Sequence, residues 1–317
     1  MSVTSDDLAA RDAAAALRTL ALDEELKRRV SDDPALHAVA HRVARRYIAG
    51  EGVDDALRVV AETNRSGHAA TVDYMGESCR DADEAARETD VFLDLSRRLA
   101  GAGARSSVSL DLSHIGLVVD EELGYRQAVR IAEATAGHGQ EMIISMEGTD
   151  RTDAILRLHR RLCARFTHVG VTVQARLHRT GTDLPRLLDL PGRIRLVKGA
   201  YPAAEAIAHP RDSQGLREAY LTHARTLLES GHPVSIATHD RDLLDRIAPV
   251  AAASGSQSYE FETLLGLGRD HLDRLAAAGH PTREYVVFGD QWWLYTCNRI
   301  AEDPIRLLQA LVDATTA

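Results

Sequence analysis

Eight short runs of β-branched and apolar residues recur along this chain, and helical segments separate them. The runs begin at residues 70, 107, 142, 169, 193, 233, 257 and 284. Strands that alternate with helices form parallel sheets through right-handed crossovers. Eight such units predict an α/β fold, a closed (β/α)8 barrel of the TIM type. A doubly wound sheet is the alternative, but no G-x-G-x-x-G follows the first run, which disfavours a dinucleotide-binding Rossmann fold.

The first 65 residues have a different pattern, in which Ala and Leu recur at helical spacing. We therefore divide the chain into an N-terminal helical segment at 1–65 and a barrel at 66–317. His37 and His41 lie four residues apart and are metal ligands in principle. Because no third ligand or H-E-x-x-H pattern accompanies them, we interpret them as part of an ordinary helix face.

Composition excludes several classes of partner. The formal net charge of −9 disfavours nucleic acid, which requires a surplus of Lys and Arg. No run of 18 apolar residues predicts a transmembrane helix, and the N-terminus lacks the pattern of a secretory signal. Cys79, Cys163 and Cys297 form no C-x-x-C motif, which fits reduced thiols in a cytoplasmic protein.

Active sites of such barrels lie at the C-terminal ends of the strands, so polar residues there are the candidates. They are Asp111, Ser113, Ser145, Glu147, Gln174, Lys198, Thr238, His239 and Glu262. Because they contain no His and Asp set with metal-ligand spacing, the sequence disfavours a metal-dependent hydrolase and predicts no metal site.

Two segments are especially rich in candidate residues. RLVKGAY, at the end of the fifth run, places Arg195 and Gly199 on one face, which suits either an anionic ligand or an ion-pair rim. In the last segment, YVVFGDQWWLYTCNRIAEDP, Asn298 or Arg299 shares a helix face with Glu302. Arg299 and Glu302 form a surface ion pair, or Glu302 orients Arg299 towards a carboxylate in the barrel mouth.

These motifs resemble those of the proline dehydrogenase family, flavoproteins that oxidise L-proline to pyrroline-5-carboxylate. RLVKGAY matches the family's fifth-strand signature without a change. ATVDYMGES, VQARL, ATHD and EFETLLG are similar to its ATLDYLGE, VQAYL, ATHN and EFQMLYG elements. The last segment is similar to the family's Y-V-P-Y-G-x-x-W-Y-P-Y-x-x-R-R-L-A-E ending, and the likeness runs in order from about residue 60 to about residue 305.

The resemblance implies a non-covalent FAD across the C-terminal mouth of the barrel, with Arg195 near flavin N5. The other cofactor contacts that it implies are Gln174 at the isoalloxazine edge, Val197, Lys198, Gly199 and Ala200 along the cofactor, and Thr238 and His239 at the adenosine or phosphate part. Tyr201 and Tyr285 match tyrosines that line the substrate pocket, and Arg299 matches one of two arginines that hold the substrate carboxylate. The candidate catalytic set is Asp111, Arg195, Tyr201, Tyr285, Asn298, Arg299 and Glu302.

The substrate side departs from the family pattern. K-L-T-Q-L-G is replaced by DLSHIG, so that Asp111 occupies the lysine position, and D-M-E is replaced by SME, which places Ser145 at the acid. Asn298 replaces the first arginine of the R-R pair, and Arg176, whose direction the sequence leaves open, replaces the tyrosine of V-Q-A-Y. These changes remove positive charge from a carboxylate-binding pocket, and Asp111 suits an ammonium or hydrazine-like nitrogen.

We therefore expect a FAD-dependent oxidoreductase that moves a hydride from an amine, amino-acid or hydrazine substrate other than L-proline. An ordinary L-proline dehydrogenase with a rearranged clamp is the alternative, and a flavin-binding protein without activity is a third. The electron acceptor, quinone or oxygen, stays open. We expect a cytoplasmic location and leave open a peripheral position at a membrane.

Overall fold

The computed structural model describes residues 5–211, 213–256, 258–303 and 305–315. Eight parallel strands pair in sequence order, and β1 pairs with β8 to close the barrel. They are β1 (Ala69–Tyr74), β2 (Ser106–Leu110), β3 (Met142–Ile144), β4 (Val169–Gln174), β5 (Ile194–Val197), β6 (Val234–Ala237), β7 (Tyr259–Leu264) and β8 (Thr282–Phe288). The predicted TIM-type fold is confirmed. Of the predicted seventh run, Gln257 lies outside the described residues.

Thirteen helices are present within the described ranges, together with one 3-10 turn at Leu112–Ile115. The helices before β4 are α1 (Ser5–Ala21), α2 (Glu24–Asp32), α3 (Pro34–Ala44), α4 (Val53–Arg65), α5 (Ala82–Gly101), α6 (Glu121–Gly137) and α7 (Thr152–Cys163). The later ones are α8 (Thr180–Leu188), α9 (Gln214–Ser230), α10 (Arg241–Ala253), α11 (Arg269–Ala277), α12 (Trp292–Ala301) and α13 (Ile305–Thr315). None of the helices in these ranges has both the length and the hydropathy needed to span a bilayer.

Side chains alternate between two environments along each strand. Val72, Val108, Leu196 and Phe261 are fully buried and belong to one apolar core that also contains side chains of the surrounding helices. The residues between them point into the barrel and are polar. They include Thr71, Ser107, Ser109, Thr172, Arg195, Ser235, Glu260, Glu262, Arg283 and Tyr285. The interior of this barrel is therefore a hydrogen-bonded network, and the main apolar core lies between the sheet and the helices.

Short polar residues start several of the outer helices. Asp81, Asp120 and Ser213 accept hydrogen bonds from backbone amides three residues later, at 2.8, 2.8 and 3.2 Å. Such caps satisfy amides that have no partner within the helix. Gly231, with a φ of 70°, ends α9 in the left-handed region, where glycine is favoured.

Helices α4 and α12 pack on different parts of the barrel. Helix α4, which precedes β1, packs against both β1 and β8. The helix that follows β8, α12, packs instead against α1 and α3, and Glu302 at its end lies 3.7 Å from His239 at the end of β6. Helix α12 therefore lies over the C-terminal ends of the strands. Side chains of α4 belong to the barrel's apolar core. The division into 1–65 and 66–317 stays a prediction. Residues 1–4, 316 and 317 of these two segments lie outside the described ranges.

His37 and His41 lie where α3 meets α12. Their rings stack at 5.6 Å, and each has a nitrogen within 4 Å of Glu51, at 3.5 and 3.9 Å. Trp292 donates to the same carboxylate at 3.0 Å. Within the described ranges, no group of three or more His, Cys, Asp or Glu side chains has metal-binding geometry. The two histidines thus belong to the packing of the N-terminal segment on α12.

We expect removal of the buried Arg283 side chain to destabilise the barrel strongly. Its Nε donates to Glu260 at 2.7 Å and its Nη1 to the Ala70 carbonyl at 2.6 Å. Arg283→Met leaves the buried Glu260 with Arg193 at 3.5 Å as its remaining cation, which should lower the free energy of unfolding by about 3 kcal/mol. Urea denaturation followed by circular dichroism measures this. Arg130→Met, at an exposed ion pair, is the control, and equal losses in the two variants would contradict the prediction.

Candidate active site

Arg195, on β5, crosses the barrel interior. Its Nε donates to Thr172 Oγ1 at 2.9 Å, and its Nη2 donates to Ser109 Oγ at 3.0 Å and to Ser145 Oγ at 3.2 Å. Its Nη1 is buried and has no hydrogen-bond partner. Because a buried charged donor without a partner is costly, this nitrogen is suited to an acceptor on a bound ligand.

Tyr285 and Asp73 lie beside Arg195. The Arg195 guanidinium is 4.6 Å from the centroid of the Tyr285 ring, and the Tyr285 hydroxyl donates to Asp73. Burial raises the pKa of Asp73 to about 7, although the hydrogen bond from Tyr285 and the charge of Arg195 oppose the rise. Asp73 is therefore partly protonated near neutral pH.

Asp111 supplies a second acid, directly after β2 and before the 3-10 turn. Burial, followed by the negative charges of Glu147 and Asp73, raises the pKa of Asp111 to about 7, and a hydrogen bond from Ser145 opposes the rise. The charge of Asp111 is in turn the largest cause that raises the pKa of Tyr201. The structure therefore brings Asp111, Asp73 and Tyr201 together in the mouth.

Glu147, a third acid in the mouth, already has partners. It is 1% exposed, and it accepts from the Ser113 amide at 3.0 Å and from Arg151 at 2.6 Å. Among the described residues no Lys or Arg forms an ion pair with Asp111, so this carboxylate is well placed to bind a cation from a ligand.

Gln174 and Gly199 form the next part of the mouth. Gln174 Nε2 donates to the Glu147 carbonyl at 3.0 Å. Gly199 has a φ of 110°, and a Cβ there would lie 2.6 Å from Gln174 Oε1. Only glycine is therefore compatible with this strand end. Val197 precedes it in register with Gln174, and Ala200 follows it and accepts a hydrogen bond from Arg211.

Lys198 is held at the β6 side. Its Nζ donates to Asp240 at 2.5 Å, and Asp240 also caps α10 by accepting from the Leu243 amide at 3.3 Å. Thr238 accepts from the Asp240 amide at 3.1 Å. The ion pair thus fixes Lys198 and Thr238 near each other.

Glu302 connects α12 to the same side. It binds Arg299 at 2.7 Å and lies 3.7 Å from His239. The Arg299 side chain is only 11% exposed and its Nε has no partner, so this is not a surface ion pair. Burial lowers the pKa of His239 to about 4, which leaves it neutral. Asn298, the neighbour of Arg299, is half-buried.

Several residues of the site were missed as candidates. Asp73 and Thr172 lie on the inward face of their strands. The period-two alternation of side chains along a strand could have identified both as residues of the barrel interior. Tyr295 matches the tyrosine that stands before the arginine pair in the family's ending, and this match was its available signal. Its hydroxyl is buried without a partner, burial raises its pKa to about 12, and Arg299 lies 5.2 Å from its ring centroid.

Comparison with known proteins assigns the chain to a family. A family model described as proline dehydrogenase matches residues 56–294. The chain belongs to the proline dehydrogenase family. Proline dehydrogenase 1 of Bacillus subtilis strain 168 is 32% identical over 263 residues, which are 82% of this chain and 87% of that protein. Proline dehydrogenase of Deinococcus radiodurans is 32% identical over 286 residues, 87% and 92% of the two chains.

Solved structures of relatives show the same barrel. Proline utilization A from Bdellovibrio bacteriovorus, inactivated by N-propargylglycine, superposes with a TM-score of 0.79 at 18% identity. The match covers 94% of this chain and 37% of that one, so this proline dehydrogenase family member spans about a third of its length. A Bradyrhizobium japonicum proline utilization A gives a TM-score of 0.69 at 20% identity and covers 81% and 30%. At these identities the likeness supports the fold.

We expect Asp111 to make the folded protein less stable at high pH. Its pKa is 3.8 before burial and about 7 when folded, so the folded state retains a proton that the unfolded chain has released between these values. Stability therefore falls as pH rises through this window. Asp111→Asn should raise the free energy of unfolding at about pH 8 by up to about 4 kcal/mol, and the gain should vanish near pH 4.

Urea denaturation at the two pH values tests this, with Asp270→Asn at an exposed position as the control. A loss of stability in Asp111→Asn at the higher pH would contradict the prediction.

Proposed function

We propose that this chain is a FAD-dependent oxidoreductase whose substrate is an amine, amino acid or hydrazine other than L-proline. The observation that carries the proposal is the charge arrangement of the mouth. The unpartnered Nη1 of Arg195 offers a cationic donor to a cofactor, and Asp111 offers an acid where the family has a lysine.

The residues at the mouth fit a flavin. Arg195 Nη1 is a buried donor without a partner among the described residues, which suits an electron-rich edge of a cofactor. When bound, FAD would supply a two-electron acceptor for hydride. Arg195 would stabilise negative charge on that acceptor, held in place by Thr172, Ser109 and Ser145. Gln174, Val197, Lys198, Gly199, Ala200, Thr238 and His239 would hold the rest of the cofactor.

The substrate side differs from the family by two charges. The family's lysine, aspartate and two arginines carry two net positive charges. Asp111, Ser145, Asn298 and Arg299 carry none when Asp111 is ionised. Each charge-assisted hydrogen bond contributes about 1.5–3 kcal/mol, so the loss of two cations weakens the binding of a carboxylate at this place by orders of magnitude.

Asp111 can also hold the substrate's proton. An amine must be neutral before its lone pair can assist cleavage of the adjacent C–H bond. The ionised Asp111 carboxylate would accept the ammonium proton, and a group that titrates near neutral pH is well suited to this transfer. Tyr201 and Tyr285 would line the pocket and orient the donor, and Arg299 would retain one contact to an anionic group.

Family membership favours ordinary L-proline dehydrogenase, which forms 1-pyrroline-5-carboxylate, as the second candidate. The specific observation in its favour is Arg299, which stays buried and paired with Glu302. In either case the final electron acceptor is a quinone or oxygen, and a cytoplasmic or peripheral membrane position suits both acceptors.

We expect Arg195→Met to weaken both FAD binding and flavin reduction. The variant loses a charged hydrogen bond worth about 1.5–3 kcal/mol, which corresponds to roughly tenfold or more in dissociation constant. Fluorescence titration with FAD measures the binding, and anaerobic bleaching of the flavin measures reduction. Arg195→Lys retains the charge and should lose less. FAD affinity that is unchanged in the Met variant would contradict the cofactor assignment.

We expect the double variant Asp111→Lys/Asn298→Arg to gain activity on L-proline. It restores two cations, so kcat/KM for L-proline with a dye acceptor should rise by at least about tenfold. Asp242→Lys, a charge change at an exposed position, is the control. A screen of amines, hydroxyproline, L-proline and hydrazines with the unaltered enzyme identifies the natural donor class. If L-proline reduces the flavin fastest of all, the substrate shift is wrong.

A further inference from the structure

Arg176, directly after β4, is a buried guanidinium with an incomplete set of partners. The residue is 5% exposed. Its Nη1 donates to the Tyr201 carbonyl at 2.8 Å, whereas its Nε is buried without a hydrogen-bond partner. Its Cγ and Cδ lie 2.8 and 2.9 Å from the position of a Cβ on Gly199, so that its stem occupies the space beside the mouth.

Arg211 lies next to it. Its Nη2 donates to the Ala200 carbonyl, the residue before the one that Arg176 binds. Arg211 is exposed, so this position is open to ligands from solvent. The two guanidinium groups therefore bind consecutive carbonyls of the same loop at the rim of the mouth.

Neither arginine has a carboxylate partner in the part of the chain that the structure describes. Burial lowers the pKa of Arg176, with no opposing cause. Burial and the charges of Arg176, Arg18 and Arg299 lower the pKa of Arg211, and only Glu302 opposes them. Burying a cation without an opposite charge is costly, and a bound anion would remove the cost.

The place of these arginines relates them to the substrate. Tyr201, whose carbonyl binds Arg176, has a phenol that is coupled to the charge of Asp111. A ligand with its nitrogen at Asp111 would therefore extend past Tyr201 towards Arg176. Lys198 and His239, by contrast, lie at the β6 side with Asp240 and Glu302. Arg176 packs against Gly199 on the cofactor side, but its guanidinium binds the carbonyl of Tyr201, which lines the substrate pocket, and this contact favours the substrate as the source of the anion.

We propose that Arg176 and Arg211 form a carboxylate-binding site at the rim, which takes the acid group of a substrate whose nitrogen lies at Asp111. The inference rests on the proposed function, because it places the substrate in this mouth. It names the substrate class as an amino acid in which nitrogen and carboxylate are further apart than in proline. In the family, a pair of arginines at the positions of Asn298 and Arg299 binds the carboxylate. In this protein, arginines outside α12 would take that role.

Matched ligands test the site by isothermal titration calorimetry on the full chain saturated with FAD. The probes are 4-aminobutanoate, 5-aminopentanoate and 6-aminohexanoate, each compared with the n-alkylamine of equal chain length. The unaltered protein should bind at least one amino acid about tenfold more tightly than its alkylamine. Arg176→Gln should abolish this preference and leave the affinity for the alkylamine unchanged. Arg176→Lys should retain part of the preference.

Arg179→Gln is the matched control, because Arg179 lies three residues away but is paired with Asp183 at 2.6 Å and Asp153 at 2.8 Å. It should keep the preference. If Arg176→Gln does not fold, Arg211→Gln at the exposed partner gives the same test, with the same expected loss of preference. Absence of any preference for the amino acids in the unaltered protein would overturn the proposal.

Titrations with FAD and riboflavin separate the two sources of anion. If Arg176→Gln weakens FAD but not riboflavin, and the preference for amino acids persists, the site binds cofactor phosphate and the proposal is wrong. Flavin reduction in the same samples tests the function independently. A carboxylate preference in a protein whose flavin no amine reduces would refute the proposed function and leave the anion site standing.

Discussion

The guanidinium of Arg195 is the group on which the organisation of the mouth depends. Three hydroxyls, Thr172 on β4, Ser109 on β2 and Ser145 directly after β3, accept its hydrogen bonds and fix its plane inside the barrel. Because the surrounding strands are buried, the charge is poorly solvated, and the nearby carboxyl groups of Glu262 and Asp73 offset part of the cost. The remaining Nη1 therefore gives the barrel mouth an electrostatic preference for an electron-rich ligand. Asp73 accepts a hydrogen bond from Tyr285 and is partly protonated near neutral pH, so it balances only part of the positive charge of Arg195.

The fold was predictable from the sequence because each barrel unit carries a local signal. Short runs of β-branched and apolar residues, separated by helical segments, recur eight times, and closure of the barrel then follows from the number of units. Helix α4 was not predictable as a barrel helix, since its contacts with β8 join segments more than 200 residues apart. The pattern of a helix before the first strand is the same whether it packs on the barrel or forms a separate cap.

The site was predictable where chemistry is local in the sequence and less so where it depends on tertiary contacts. RLVKGAY placed Arg195 and Gly199, and their arrangement follows from strand alternation and a positive φ. The direction of Arg176 is a tertiary property, because the loop around Tyr201 determines which carbonyl the guanidinium meets. The same is true of the protonation of Asp111, which is set by burial and by Glu147 and Asp73 from other strands.

The two changed regions of the mouth have opposite electrostatic effects. Asp111 adds a buried acid that the folded chain accommodates partly by protonation, whereas Arg176 adds a buried cation that forms no ion pair with a described carboxylate. A single zwitterionic ligand would relieve both, since its cation would stabilise ionised Asp111 and its anion would neutralise Arg176. Binding such a ligand would therefore release a proton from Asp111 near neutral pH. The energetic cost of these two buried groups thus becomes selectivity for a substrate that carries both charges at the right separation.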